Sequence, residues 1–377
     1  MANNNDKKVL NVPALRFPEF TGEWEKCKLS KVCSFFSGGT PPSSNKEYYN
    51  GNIPFIRSGE LHNDETELFI TKEGLDNSAA KMVEVGDLLL ALCGATSGDI
   101  AISKIKGAIN QAILCIRTKQ NKKFVESVWN KHVARLLQTY LQGGQGNLSA
   151  DIVKNIPFYF TNIEEQNKLA RFISLLDQRI AAQTKIIEDL KKLKSAIYQE
   201  LFSNLQGEEK SLSELAEITK GQQVNGNQLS ENGKYYVMNG GIMPSGYYDD
   251  YNTEAGTISI SEGGNSCGYV QYNKSKFWSG GHCYTLHIKP TARISTLFLF
   301  HCLKWKEEDI MALRIGSGLP NIQKKDLSKV RIIVPTFDKQ QQLIALLSTL
   351  QMKIEYEEMY TINLDKQKLH LLSQMFI

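Results

Sequence analysis

Histidine and cysteine come closest together at His282, Cys283 and His287, and a bound metal is the chemistry that such a group would suggest. In an extended strand, neighbours at odd separation face opposite sides, so His282 and Cys283 diverge, and no second cluster at ligand spacing completes a coordination sphere. The group reads as structural. His62, His132, His301 and His370 form no triad with a serine or cysteine. Asn52-Ile53-Pro54-Phe55 and Asn155-Ile156-Pro157-Phe158 approach the Asn/Asp-Pro-Pro-aromatic loop that holds a target amine in amino-methyltransferases. Each has isoleucine where the first proline belongs, and Phe36-Ser37-Gly38-Gly39-Thr40 only mimics the Phe-x-Gly-x-Gly methyl-donor motif. Glu208-Glu209-Lys210 imitates part of an acid–acid–lysine nuclease site, but it follows a helix end with no suitable strand before it and reads as solvated linker charge. No Gly-x-x-x-x-Gly-Lys-Ser/Thr phosphate loop occurs, so no ATP-driven motor is encoded. The expectation is a chain with no catalytic residues and no metal.

A different chemistry is well supplied. Ser43-Ser44-Asn45-Lys46-Glu47-Tyr48-Tyr49 and Gln222-Gln223-Val224-Asn225-Gly226-Asn227-Gln228 interleave amide, hydroxyl, basic and aromatic side chains. Asn and Gln can pair bidentately with adenine, and Arg or Lys with guanine, while Ser, Thr, Lys and backbone amides hold phosphates. Composition of this kind also describes loops that merely face solvent, so the elements that would position it decide its meaning.

Those elements are written twice. Between the stretches 136–202 and 310–376, Asn147-Leu148 falls on Asn321-Ile322 at an offset of 174 residues, and Ile156 on Val330. Gln166 falls likewise on Gln340, Leu169 on Leu343, Leu176 on Leu350, Leu190 on Leu364 and Phe202 on Phe376. Earlier parts match at other offsets: Leu29-Ser30 to Gly38 with Leu212-Ser213 to Gly221, and Gly86, Gly94 and Gly98 with Gly256, Gly264 and Gly268. A repeat of this length is a domain duplication, with halves that differ by loop insertions.

Each half ends in a long amphipathic helix. Leu169, Ile173, Leu176, Ile180, Ile187, Leu190, Ile197 and Leu201 step by threes and fours, with Gln183 and Lys194 breaking the seam. Leu343, Leu347, Leu350, Ile354, Leu364, Leu371 and Met375 repeat the register, with Glu357, Thr361 and Lys368 at seam positions. Acids open both helices, Glu164-Glu165 and Asp338, where the helix dipole favours them. The second helix can bury its stripe by returning along the first, which predicts an antiparallel pair with the globular domains at opposite ends. Strands are predicted near 87–92, 112–117, 257–261 and 330–335, and shorter helices over 122–141 and 295–313. The fold class is therefore α/β (α+β), with two similar globular domains, 1–160 and 207–335, joined by coiled-coil helices over 161–206 and 336–377.

Composition agrees. With 377 residues, 41% hydrophobic and 22% charged, the chain is globular and too long for one ordinary core. A net charge of +4 permits nucleic-acid binding without arguing for it. No apolar run is long enough to span a membrane, the start is polar, and the seven cysteines are scattered, which together point to reduced thiols in a cytoplasm.

The whole order resembles the specificity subunits of type I restriction–modification systems. Pro13-Ala14-Leu15-Arg16-Phe17-Pro18-Glu19-Phe20 with Glu23-Trp24-Glu25 is similar to that family's N-terminal signature, and Gly38-Gly39-Thr40-Pro41 with Ile53-Pro54-Phe55-Ile56 to the start of its first recognition domain. The segments 156–202 and 334–376, each with its domain-to-helix glutamine, Gln166 or Gln340, resemble its two spacers. The resemblance implies a reader of double-stranded DNA with two target recognition domains, each reading part of a split, asymmetric target. It also implies two methyltransferase subunits packed on the helices and two ATP-dependent translocase–endonuclease subunits. S-adenosylmethionine and ATP with magnesium would be bound by those partners and no cofactor by this chain.

On that reading, DNA contacts in the first domain are expected from Thr40, Ser43, Ser44, Lys46, Tyr48, Arg57, Ser97, Gln145 and Asn147. In the second they are expected from Gln222, Gln223, Asn225, Asn239, Asn265, Lys274, Lys276, Arg314, Ser317 and Asn321. A coiled-coil scaffold with two ligand-binding domains unrelated to DNA is the alternative, and a self-contained DNA enzyme a second.

Overall fold

The computed structural model describes residues 10–140, 147–316 and 318–377. They fall into two units: residues up to Gln183 together with Tyr360–Ile377, and Thr184–Met359. Each long helix therefore contributes to both.

In the first unit, β1 (Glu25–Lys28), α1 (Leu29–Val32), β2 (Cys33–Ser37), β3 (Tyr49–Ile56), β4 (Phe69–Ile70) and α2 (Lys72–Asp76) lead into β5 (Lys81–Val83), β6 (Leu88–Ala91) and β7 (Ile100–Ile102). Then come β8 (Gly107–Ile109), β9 (Ile113–Thr118), α3 (Lys122–Tyr140), α4 (Ala150–Asn155), β10 (Pro157–Phe160) and the 41-residue α5 (Ile163–Ser203). Two four-stranded sheets result, in orders β2-β9-β6-β7 and β4-β3-β8-β5, and β1 pairs with β10. Alternation along the strands explains the layering. Leu88, Leu90, Leu114 and Ile116 turn toward α3 and its Phe124 and Trp129, whereas Leu89, Ala91, Ile113 and Cys115 meet Ile56, Val83 and Ile109 of the other sheet. The central sheet is thus covered on both faces, which is why β6 is buried throughout.

The second unit repeats this plan with β11 (Glu208–Ser211), α6 (Leu212–Leu215), β12 (Ala216–Lys220), β13 (Tyr235–Met238), β14 (Tyr247–Tyr248), β15 (Thr257–Ser261) and β16 (Val270–Asn273). It continues through β17 (Trp278–Ser279), β18 (Cys283–Ile288), α7 (Thr296–Trp305), α8 (Glu307–Ala312), α9 (Lys324–Leu327), β19 (Arg331–Val334) and the 39-residue α10 (Phe337–Met375). Orders β12-β18-β15-β16 and β14-β13-β17 match those of the first unit, with no equivalent of β5 among the described residues, and β11 pairs with β19 as β1 does with β10. Both halves use one parallel pairing, β3 with β8 and β13 with β17. The halves differ inside: where Leu89 and Ala91 are apolar, the second unit buries Ser259 and Ser261, and Asn273 Nδ2 bonds Ser259 Oγ at 2.9 Å and the Thr257 carbonyl at 3.0 Å.

Two expectations from the sequence are corrected. The predicted helix over 295–313 is two helices that meet at Lys306 (φ −89°, ψ 12°), just where the Glu307 carboxylate turns back to accept from Lys304 Nζ (2.6 Å) and the Val270 amide (2.8 Å). Glu208-Glu209-Lys210 is not linker charge: it forms most of β11, antiparallel to β19 from Glu208 opposite Val334, because that ladder satisfies its backbone.

Each unit grips one long helix by its start. Gln166, fully buried, donates Nε2 to the Thr161 carbonyl (2.7 Å) and to Gln120 Oε1 (2.6 Å) and accepts the Asn121 amide on Oε1 (3.1 Å). Gln340, equally buried, donates to the carbonyls of Pro335 (3.1 Å) and Arg293 (2.9 Å) and accepts the Ser295 amide (2.9 Å). Asn121 and Ser295 immediately precede α3 and α7, so one amide side chain ties the long helix to the short one in both places.

Each unit also receives the far end of the other long helix. Phe376, just past α10, packs between Trp24 and Phe124 in the first unit (centroids 6.3 and 5.4 Å). Phe202 of α5 packs against Phe298 and stacks on Trp305 in the second (6.2 and 5.5 Å). Within each unit the helices run antiparallel: Asp177 meets Lys368 and Arg179 meets Tyr360 in the first, while Lys191 meets Glu358 and Lys194 meets Gln351 in the second. Leu169, Ile173, Ile187, Leu343, Leu347, Ile354 and Leu364 are buried along these stretches, and Leu176, Ile180, Leu190, Ile197, Leu350 and Leu371 are partly buried.

The polar seam positions are built in. Lys368 Nζ lies 2.6 Å from Asp177 Oδ1, and Asp177 also holds Lys123 of α3 at 2.7 Å. At the equivalent place in the second unit Lys194 Nζ donates to Gln351 Oε1 at 2.7 Å. Burial opposes the Asp177 charge, but bonds from Lys123 and Lys368 outweigh it and hold the carboxyl below its ordinary range.

Replacing Gln166 or Gln340 with alanine strands buried amide partners and is expected to cost about 1–3 kcal/mol. Phe376→Ala or Phe202→Ala should cost about 3–5 kcal/mol. Hydrogen exchange should localise each loss to the unit that holds the side chain; a loss spread evenly over both would reject these assignments. His301 supplies a pH signature. Its Nδ1 lies 2.6 Å from the Tyr198 hydroxyl, and burial, then the Lys194 ammonium, push the imidazole from 6.5 down to about 4. The folded state resists a proton that the unfolded chain takes near pH 6.5. Stability contributed by neutral His301 is therefore complete above that pH and lost as pH falls toward 4, by up to about 3 kcal/mol. Urea midpoints at pH 7 and pH 4.5 should show the loss, and His301→Gln should flatten it.

Candidate nucleic-acid interface

Loops gather at one end of each central sheet because the strands deliver them there. In the second unit the end of β12, the start of β18 and the β15–β16 turn are adjacent by register. Gly264 and Gly268 (φ +81° and +94°) take left-handed conformations in that turn, as Gly94 and Gly98 (φ +80° and +87°) do in the first unit. A side chain at Gly98 or Gly268 would also run into α3 or α8.

Of the second-domain candidates, Gln222, Gln223 and Asn225 follow β12, Asn239 follows β13, and Asn265 lies in the β15–β16 turn. Asn321 joins them through a bridge to Gly263, and Arg314 is exposed beside that segment. Asn239 is partly spoken for, since its Oδ1 accepts the His282 amide at 3.1 Å, and Gln223 Nε2 donates to the Val224 carbonyl at 3.1 Å. Lys274 and Lys276 lie elsewhere. They follow the far end of β16, where Lys274 approaches Glu355 of α10 (3.7 Å) and Lys276 bonds the Tyr251 hydroxyl (2.7 Å) and Glu254 (3.2 Å). Ser317 is outside the described residues.

In the first domain the same end holds Thr40, whose hydroxyl donates to Gln111 Oε1 (2.8 Å), Ser97, whose hydroxyl donates to the Leu92 carbonyl (3.2 Å), and exposed Asn147. Arg57 follows β3 at this end, but Glu60 (2.6 Å) and Glu67 (2.8 Å) already engage its guanidinium. Burial works against the Glu60 charge, yet bonds from Arg57, its backbone and Thr66 win, pulling the carboxyl down to about 2. Lys46 and Tyr48 precede the opposite end of β3, with exposed Ser43 and Ser44 in the turn before them. Gln145 lies outside the described residues.

His282 is an exposed turn residue just before β18, and Cys283, the first residue of that strand, is buried. No group of three or more metal-ligating side chains forms among the described residues, and no described helix is long and apolar enough to cross a membrane. The Asn-Ile-Pro-Phe near misses are strand and strand-entry segments, in β3 and at the start of β10.

Sequence reasoning passed over Lys220 and Glu262 and weighed His282 only as a metal ligand; the three share one corner of the second unit's loop end. Glu262 follows the all-buried β15 and is itself buried, and alternation alone does not reveal that its carboxylate meets Lys220 and faces His282.

Comparison with known proteins fits this geometry. The family model described as "Type I restriction modification DNA specificity domain" matches residues 21–192 and again 205–364, one copy for each half of the repeat. A candidate type I specificity subunit of Mycoplasma pneumoniae is 34% identical over 157 residues, 41% of this chain and 42% of that protein. The MjaVIII specificity subunit of Methanocaldococcus jannaschii is 25% identical over 217 residues, 56% of this chain and 49% of that one. The chain thus spans under half the length of either relative. The crystal structure of a type I restriction–modification system S subunit from M. genitalium superimposes with a TM-score of 0.65 at 20% identity, covering 97% of this chain and 99% of that one, which is a likeness of fold. With two matched copies over most of its length, the chain belongs to the type I restriction–modification DNA specificity family.

Proposed function

We propose that the chain is the DNA-reading, non-catalytic subunit of a type I complex, acting in the cytoplasm, in which each domain reads one part of a split target and the paired helices set the unread gap. The observation that carries this reading is that one sheet plan, used twice, presents unlike polar loops at the same end: Thr40, Ser97 and Asn147 in one half, Gln222, Asn225, Asn265 and Asn321 in the other. Like frames with unlike loops are what reading two different half-sites requires. Linking two modest grips raises their effective concentration for each other, so the pair binds far more tightly than either alone.

The helices are also the dock for partners. Leu175, Ile186 and Leu193 on α5 and Met352, Tyr356 and Met359 on α10 are large apolar side chains left 46–59% exposed, more than a helix surrounded by water needs. Two methyltransferase subunits seat on these faces, and two ATP-driven endonuclease subunits complete the assembly. S-adenosylmethionine and ATP with magnesium belong to those partners.

Sequencing of methylated adenines in a host carrying this chain with its methyltransferase should return a split motif and so name both half-sites. Gln222→Ala with Asn225→Ala should then relax one half-site only, by about 1–3 kcal/mol per lost contact; equal loss in both halves would sink the assignment. Removing four residues from each long helix shortens the strut by about 6 Å, roughly two base pairs. An unchanged gap would dispose of the ruler. A ligand-binding scaffold, the alternative, would show no duplex affinity that weakens with salt.

A further inference from the structure

At the loop end of the second unit, Glu262 is only 9% exposed. Its Oε1 accepts from Lys220 Nζ at 2.7 Å and from the Tyr284 hydroxyl at 3.0 Å. Its Oε2 is buried without a hydrogen-bond partner, and His282 Nδ1 stands 3.9 Å away, beyond hydrogen-bond reach but within that of an ion pair. The two basic side chains are themselves open to solvent: Lys220 is 53% exposed and His282 63%. Among the same loops lie Gln222, Asn239 and Asn265.

The fold does not need this arrangement. In the first unit the bond from the Leu92 amide to the Ala112 carbonyl is the counterpart of that from the Glu262 amide to the His282 carbonyl, and Ser37 ends β2 where Lys220 ends β12. The equivalent positions are therefore held by Ser37, Leu92 and Ala112, none of them charged. A carboxylate buried with one oxygen unsatisfied costs stability, so a frame that can be made apolar has no structural use for it. What Glu262 adds is one rigid acceptor that holds the exposed Lys220 ammonium and faces the exposed His282 ring.

We infer that this corner is a phosphodiester-binding site, in which Lys220 and His282 straddle one phosphate of the DNA backbone at the second half-site and Glu262 is their positioning residue. Binding takes up one proton from solvent, so that His282 Nε2–H donates to a non-bridging phosphate oxygen while the ring turns and Nδ1–H reaches Glu262 Oε2. The unsatisfied oxygen gains its partner only when the ligand arrives. This site rests on the DNA-reading function proposed above and adds to it a contact that fixes register without reading bases.

The test uses the full chain with its methyltransferase partner and duplexes carrying the cognate target, a target with the second half-site altered, and unrelated sequence. Lys220→Ala and His282→Ala, both changes at exposed side chains, should each weaken binding about fivefold to tenfold on all three duplexes. The slope of log affinity against log salt should become shallower by about one for a lost phosphate contact. Glu262→Gln, which keeps the side chain's shape, should lose most of what His282 contributes, and the double variant Glu262→Gln/His282→Ala should bind no worse than His282→Ala. Normal affinity and an unchanged salt slope in Lys220→Ala and His282→Ala would overturn the site while leaving DNA reading intact, as would a loss confined to the cognate half-site. A wild-type complex without duplex affinity would instead remove the DNA reading and this site together. Because the two lysine and histidine variants decide the matter at the surface, a folding defect in the Glu262 variant does not obscure it.

Discussion

A buried amide fastens the start of a long helix to each domain. Gln166 and Gln340 are both wholly enclosed, both use carbonyl oxygen and amide nitrogen together, and both join the start of a long helix to the residue before a short one. Helix starts leave backbone donors unmatched, and a carbonyl-bearing side chain at that spot is the natural partner. The stripe of leucines and isoleucines pairs the two helices, and this joint ties their starts to α3 and α7 beside the contacts of Phe376 and Phe202. Since the amide carries no charge, the joint is indifferent to ionic strength, whereas the phosphate grip of a DNA reader is not.

The rest of the frame follows from duplication. Each unit takes the beginning of one helix and the end of the other, so Phe376 fills against Trp24 and Phe124 the role that Phe202 fills against Phe298 and Trp305. Polar residues inside the seam mark register: Lys368 with Asp177 in one unit, Lys194 with Gln351 in the other. Such half-buried polar pairs contribute little net stability, and the attested use of polar seam residues is to exclude other alignments. The two are not equivalent. Asp177 balances two ammonium groups, whereas Lys194 meets a neutral acceptor, and burial lowers its proton affinity.

Much of this was legible in the sequence because it is periodic or repeated. Heptad spacing predicted α5 and α10, and the offset of 174 residues, seen from Gln166 to Gln340, predicted the duplication. The strands at 88–91, 113–118 and 257–261 lie within a residue or so of expectation, since short apolar or alternating runs rich in β-branched residues and leucine between polar or glycine turns leave little choice. What could not be read was which loop residues end up together. Lys274 and Gln222 look alike as polar loop positions, yet β16 carries Lys274 toward α10 while β12 delivers Gln222 to the other end of the sheet. Arg57 has the composition of a guanine reader, but Glu60 and Glu67 occupy it, three and ten residues downstream. The sequence also disguised Glu208–Ser211, whose charge suggested a linker while its backbone found a partner in β19. For Lys274 and for Glu208–Ser211 long-range pairing decides, and a pattern within one segment cannot express it.

In the second half, all three partners of the clamp are main-chain groups: the Ser295 amide and the carbonyls of Arg293 and Pro335. A fastening that recognises peptide units ignores which side chains those units bear. Residues around it can therefore drift, and a whole recognition module of different sequence can be seated in the same socket, so long as its backbone arrives along the same path. Novelty in what is recognised then demands no renegotiation with the scaffold.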